Sequence, residues 1–296
     1  MGINSELKDE MCREIDIIVN SAATTRFDER YDTAIRTNVL GAMHVLKFSK
    51  QCSKLMMLLH VSTAYACGEK EGLILEKPLN YGEMLNGSSH LDIDVEQKLV
   101  EEALKDLQDR NATEKEVTLA MRVLVNQYNL FLPSHRTMDT FIVGYGKGKQ
   151  KLAMGGRETI TDVIPANMVV NSVIAAMVAH RNPSSRIAVY HISSSRRNQI
   201  KIDDFIRIGI EYFKKNPWID KRGKPIKVKK FHLLDSMDSL HKYIAIHYMP
   251  SLKILKWANF ILCQHLQIRH TNLQRRINHT IRLAELYKPY AFFKGM

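Results

Sequence analysis

The sequence predicts an α/β fold, with a parallel sheet and its crossing helices in the first part of the chain and a mostly helical region after it. Three observations carry that reading. Two short apolar runs, "IDIIVN" and "LMMLLHVST", flank one stretch of helical period. Strand, amphipathic helix and strand with short links form a βαβ unit, whose crossover makes the two strands parallel. After Pro217 the composition turns basic and helix-forming.

Taken in order, Ile15 to Asn20 is mostly β-branched and ends in small polar residues, as a fully buried strand does. In "RYDTAIRTNVLGAMHVLKFSKQC" apolar residues recur at Ile35, Val39, Met43, Leu46 and Phe48, close to helical period. "LMMLLHVST" reads as a second buried strand. A polar stretch from Gly68 to Ser89 carries glycine and proline punctuation, and "DVEQKLVEEALKDLQDR" then predicts a charged helix that Asp92 or Asp94 can cap. "VTLAMRVLVNQYNLFLP" fits neither period cleanly, and "VGYGKGKQKLAMGG" reads as a glycine-rich loop. "TDVIPANMVVNSVIAAMVAH" predicts a turn and a buried helix with Pro165 in its first turn. "RIAVYHISSS" predicts a strand, and "KIDDFIRIGIEYFKKN" an amphipathic helix capped by Asp203. The basic segment "KRGKPIKVKKF" opens the last region, so the expected domains are 1–215 and 216–296.

Composition narrows the function classes. A chain of 296 residues, 45% hydrophobic and 25% charged, has the length and the apolar content for a real core. The net charge of +12 favours an anionic partner, although a solvated basic face explains it equally well. Cys12, Cys52, Cys67 and Cys263 form no C-x-x-C pair, which argues against a zinc site or disulfide framework and fits a reducing compartment. The first residues lack the apolar run of a signal peptide, and Glu6 breaks the myristoylation pattern. No segment reaches the ~18 apolar residues of a membrane span. Tyr243 to Cys263 comes closest, interrupted by Pro250, Lys253 and Lys256, and suits a position on a membrane rather than across it.

In an open parallel sheet, ligands bind beyond the carboxyl ends of the strands. Two such ends are visible, "VNSAAT" and "HVSTAY". Ser21, Ala22 and Ala23 are small enough for backbone to approach a flat ring, and the hydroxyls of Ser62, Thr63 and Tyr65 can donate to a substrate oxygen. The alternative is a pair of ordinary strand-to-loop turns.

Taken together, "IDIIVNSAATTRFDERYDTAIRTNVLGAMHVLKFSKQC", "LLHVSTAYACGEKEGLILEKPL", "LDIDVEQKLVEEALKDLQD", "RTMDTFIVGYGKGK", "DVIPANMVVNSVIAAM" and "RLAELYKPYAFFKG" resemble the plant-type alcohol-forming fatty acyl-CoA reductases. These male-sterility proteins are extended short-chain dehydrogenase/reductases, and the resemblance runs collinearly through most of the chain. It implies NADPH as hydride donor and a long-chain acyl-CoA reduced through an aldehyde to a primary alcohol. By the same resemblance Thr63 matches the hydroxyl that binds the carbonyl oxygen, with Ser62 as a substitute. Asn38 matches the asparagine of the following helix, and Asn20, Ser21, Ala22 and Ala23 the cofactor-side turn. A preorganised donor at Thr63 would stabilise the charge that hydride addition places on oxygen.

Three departures from the family pattern set further expectations. The glycine-rich phosphate turn that the family places before this first strand is absent, and no G-x-G-x-x-G occurs anywhere. The resemblance therefore implies a partial Rossmann-type sheet lacking its first βα units. The family's Tyr-x-x-x-Lys helix, where the lysine lowers the pKa of a proton-donating tyrosine, is missing too. In its place stands "RVLVNQYNLFLPSH", residues 122–135, which matches nothing in the pattern, and several dozen residues expected there are absent, as an altered transcript or gene model would produce. Family members also continue beyond "YKPYAFFKGM". Of the two Tyr-x-x-x-Lys strings present, "YGKGK" is broken by glycines that cost a helix about 1 kcal/mol each, and "YAFFK" is remote along the chain.

The expectation is weak NADPH binding, impaired reduction, and an apolar first strand deprived of a neighbour, which invites aggregation. A silent scaffold is the competing class. A nucleic-acid binder using "KRGKPIKVKK" and "QIRHTNLQRR" is not expected, since interleaved stacking aromatics are lacking. Peripheral membrane association and residence on the cytosolic face of the endoplasmic reticulum, with plastid or peroxisome as alternatives, complete the sequence reading.

Overall fold

A computed structural model describes residues 2–25, 29–63, 72–80, 82–83, 92–127, 137–182, 187–261 and 265–292. Tyr65, half of the 68–89 stretch, residues 128–135 of the insert and Lys294 lie outside them. The chain forms two compact units that interleave along the sequence. The first comprises Met1–Arg136 with Val163–Ser193, the second Thr137–Asp162 with Ser194–Met296.

In the first unit, α1 (Ser5–Glu14) precedes β1 (Ile17–Asn20), and β2 (Met57–His60) pairs with β1 in parallel. The connection is a single helical run: α2 (Tyr31–Ala34), a π-helical stretch Ile35–Leu40, and α3 (Gly41–Ser49). This is the predicted βαβ unit. Asp92 caps α4 (Ile93–Asp109) by accepting hydrogen bonds from the N–H groups of Asp94 at 2.9 Å and Val95 at 3.3 Å. Tyr31, Ile35 and Val100 form the buried core, with Val39, Leu40, Leu104 and Leu124 packed around it.

Several expectations for this unit need correcting. The segment that fits neither period is helical over its described part, which belongs to α5 (Glu114–Gln127). Its start is a capping box: the Thr113 N–H and hydroxyl both donate to Glu116 at 2.7 Å, and the Glu116 N–H donates back to Thr113 Oγ1 at 3.4 Å. Local capping outweighs the β-rich composition that follows. Neither strand is fully buried, because among the described residues their sheet has only two strands; Val19 and Met56 are exposed. Helix α7 (Ala166–Ala179), expected to be buried, has no buried residue; Met168, Val170, Ile174 and Val178 face solvent, and Pro165 stands at the cap rather than in the first turn. Over its described residues the run "RIAVYHISSS" forms no strand, and Ile187, Tyr190 and Ile192 are exposed.

In the second unit, β3 (Leu152–Met154) and β6 (His232–Leu234) pair in parallel, and β4 (Ile160–Thr161) pairs antiparallel with β5 (Ile200–Lys201). Helices α6 (Thr137–Gly146), α8 (Ile202–Lys215), α9 (Met237–His247), α10 (Met249–Ile261) and α11 (Gln267–Ala291) complete it. Met154, Leu240, Ile244, Leu252, Ile277 and Ala284 make its core. The cap of α8 is Lys201, without a side-chain cap bond; Asp203 sits in the first turn, ion-paired with Arg157. The predicted glycine-rich loop begins as helix, since α6 runs through Tyr145 to Gly146. A Cβ at Gly146 would lie 2.4 Å from the Phe213 ring, so the glycine lets helix and ring meet.

The fold is thus mixed α/β with short parallel pairs and a largely helical remainder, as the sequence predicts. Among the described residues the sheet is three two-stranded pieces rather than one continuous layer.

Candidate functional site

The two strands that the sequence singles out lie side by side, and in register. Ile17 faces Met57 and Asn20 faces His60, so both strands end at the same level. Ser21–Ala23 and Val61–Thr63 therefore leave from one edge, the carboxyl end of a parallel pair, where α/β proteins bind ligands.

Asn20 ties this edge together. It is buried, at 7% exposure, and its carbonyl, side-chain oxygen and side-chain nitrogen are all used. Its carbonyl accepts the Val61 N–H at 2.9 Å, extending the ladder past β2. Its side-chain oxygen accepts the Ala22 N–H at 3.3 Å, turning the chain sharply after the strand. Its amide nitrogen lies 3.1 Å from His60 Nδ1. The amide can only donate there, so Nδ1 accepts and the ring proton is on Nε2. His60 is a residue that the sequence reading passed over; strand register is the signal that brings it beside Asn20.

The loop after β1 is held from a second side. Asn38 Oδ1 accepts the Thr24 N–H at 2.8 Å, and Asn38 Nδ2 donates to the Thr24 carbonyl at 3.1 Å. Asn38 thereby acts as a clasp between loop and helix. It lies within the π-helical stretch, and such single-turn widenings are frequent at functional sites. Here the widening sits where the helix must present Asn38 to a backbone segment.

Around this edge, Ser21, Ala22, Ala23 and Ser62 are exposed and Thr63 is half-buried. Small exposed residues beside a strand end leave the backbone there open to approach. The structure brings Asn20, Ser21, Ala22, Ala23, Ser62 and Thr63 to one edge, with Asn38 behind the first loop. Among the described residues no cluster of three metal-ligating side chains exists.

Two supports lie behind the clasp. The Tyr31 hydroxyl donates to Glu96 Oε2 at 2.5 Å, a buried pair joining α2 to α4. Arg30 forks onto Asp32 at 3.0 and 2.9 Å and reaches Glu114 at 2.6 Å, linking the starts of α2 and α5. The Asp32 hydrogen bond, followed by the charges around it, raises the guanidinium pKa further above its ordinary value. Neither the Tyr31–Glu96 pair nor the Arg30–Glu114 link is visible in the sequence, because their partners lie 65 and 84 positions apart along it.

The nearest string to a catalytic Tyr-x-x-x-Lys does not form one here. Tyr145, in the second unit, is buried, and its hydroxyl donates to the Lys229 carbonyl at 3.0 Å. Lys149 lies beyond the end of α6. Burial pushes the Tyr145 pKa up, the opposite of what a proton-donating tyrosine needs.

Comparison with known proteins gives a consistent result. Residues 1–173 match the NAD-binding family described as "Male sterility protein". The chain is 40% identical to the alcohol-forming fatty acyl-CoA reductase of Simmondsia chinensis over 337 aligned positions, covering 98% of this chain and 68% of that protein. It is 36% identical to fatty acyl-CoA reductase 1 of Arabidopsis thaliana over 339 positions, covering 99% and 69%. A solved UDP-glucuronic acid 4-epimerase from Bacillus cereus, in complex with NAD, overlaps at a TM-score of 0.42 with 15% identity, over 78% of this chain and 69% of its own. The alignments to the plant proteins are longer than the 296 residues of this chain, so several dozen aligned positions have no counterpart here.

Proposed function

The chain belongs to the plant-type alcohol-forming fatty acyl-CoA reductase family of male sterility proteins, and from that premise we propose that its strand-end edge is the nicotinamide side of an NADPH-dependent acyl-CoA reductase site, impaired in this chain. The observation that carries the reading is the Asn20–His60 junction, which sets two predicted site loops at one sheet edge.

In this proposal Ser21, Ala22 and Ala23 bound the cofactor, and Asn20 and Asn38 hold their loop in shape. NADPH, when bound, would supply one hydride to the acyl carbon, with coenzyme A leaving as its thiol, and a second NADPH would supply another to the resulting aldehyde. Thr63 donates a hydrogen bond to the carbonyl oxygen, with Ser62 beside it as a second donor, and stabilises the negative charge that develops there. The substrate is a long-chain acyl-CoA and the product a primary alcohol. A lipid product is in keeping with residence at the cytosolic face of the endoplasmic reticulum.

Impairment follows from internal losses. Dozens of positions present in the relatives are absent, and Tyr145 is spent on a backbone carbonyl. A missing general acid is worth about 10²–10⁴-fold in rate. The test is NADPH titration followed by turnover of palmitoyl-CoA. Saturable but weak binding with turnover at least about 10²-fold below an intact relative is the expected result. Normal turnover overturns the impairment. No NADPH binding by the folded chain overturns the site and favours a silent scaffold.

A further inference from the structure

We infer that the outer face of α10, continued by the start of α11, seats this chain on an anionic phospholipid surface. The reading needs neither NADPH nor the reductase site. It starts from what α10 buries and what it leaves out. Leu252 is buried, and Leu255 and Asn259 beside it are half-buried. On the other side Ile254, Trp257, Phe260 and Ile261 follow helical spacing and all face solvent, Trp257 at 69% and Phe260 at 82% exposure. Ile268, in the first turn of α11, is 76% exposed. The end of α10 is tied to the start of α11, because Asn259 donates to Gln267 at 2.7 Å and accepts the Leu266 N–H at 3.0 Å.

Charge selects the occupant. From Ser239 to Ala284 the sequence contains no Asp or Glu and has seven Lys or Arg. Lys253 and Lys256 are exposed on the same turns as Trp257 and Phe260. Exposed aromatics flanked by lysines that can extend past them form the pattern of a helix lying in a lipid headgroup layer. Clustered cations without intervening acids favour anionic headgroups. Among the described residues no helix is long and apolar enough to cross a membrane. Helix α7 shows the difference. Its exposed Met168, Val170, Ile174 and Val178 are as apolar, but the helix has no charged or aromatic residue and nothing to attract a headgroup.

The experiment uses the whole chain carrying Trp218→Phe, which leaves Trp257 as its single tryptophan. Phosphatidylcholine vesicles with and without phosphatidylserine are added. The expected result is a blue shift of Trp257 emission and co-sedimentation with the phosphatidylserine vesicles, both weakened by salt. Phe260→Glu lowers vesicle affinity about tenfold or more, and Lys253→Glu with Lys256→Glu removes the preference for phosphatidylserine. All three side chains are exposed, so an unchanged circular dichroism melt certifies folding. Vesicle binding that is absent, or unaffected by Phe260→Glu, overturns the inference. So does a lipid-free dimer that Phe260→Glu splits, since the face would then belong to a second copy. Failure here leaves the reductase reading untouched, because no cofactor or substrate enters the assay.

Discussion

The strand-end junction of the first unit and the helical core of the second are held by opposite means. At the junction, order comes from polar side chains spanning sequence gaps: Asn20 to His60, Asn38 to Thr24, Tyr31 to Glu96. In the second unit it comes from apolar packing around Leu240, Ile244, Leu252 and Ile277, contributed by α9, α10 and α11. Hydrogen bonds are directional and each adds little net stability, whereas apolar burial is non-directional and accumulates. A site needs the first kind of order, since it fixes where a loop stands. A scaffold needs the second. Among the described residues the first unit leaves Val19 exposed in a two-stranded sheet and much of α7 facing solvent.

The contrast can be broken in four places, taken from the largest effect down. Leu240→Ala removes a side chain with 0% exposure, and is expected to cost about 2–5 kcal/mol, read as lost amide protection in β3, β6 and α9. Tyr31→Phe leaves the Glu96 carboxylate buried without its donor, and should cost about 2–3 kcal/mol by chemical denaturation despite removing one oxygen atom. Wild-type stability in that variant would mean that the polar side of the contrast is ornamental. Gly146→Ala normally strengthens a helix, but here the added carbon meets Phe213, so a loss of about 1–3 kcal/mol is expected. A gain instead would show that the ring yields.

The smallest effect is one of pH. Hydrogen bonds from Thr113 hold the Glu116 pKa below the usual glutamate range. A carboxylate depressed in the folded state contributes stability at pH above its unfolded value of about 4.3, and loses it as pH falls through the folded value. Thermal melts of wild type and Glu116→Ala should therefore differ slightly at neutral pH and converge in acid. Parallel curves would remove the capping box from the account.

What the sequence discloses is what local chemistry decides. The parallel pair was legible because β-branched runs and a helical crossover admit one connection, and the Asp92 cap because a short acidic side chain precedes a charged helix. The helix from Glu114 was hidden by its valines and leucines, although the Thr113 capping box was there to be seen. The exposure of α7 and the lack of a strand at residues 187–192 among the described residues were not legible at all, since an apolar segment says nothing about what packs against it. At the candidate site, Asn20, Ser21, Ala22, Ala23, Ser62 and Thr63 were visible as strand-end residues. His60 and the Tyr31–Glu96 pair depend on register and on contacts across 40 and 65 positions, which no local pattern carries.

The interleaving of the two units has a temporal consequence. On the ribosome, residues 137–162 emerge before the segment ending at Ser193 that completes the first unit, and must wait for residues from 194 onward to find their own. A nascent chain that ends before residue 163 therefore lacks part of both units, whereas one that has reached Ser193 already holds every residue of the first.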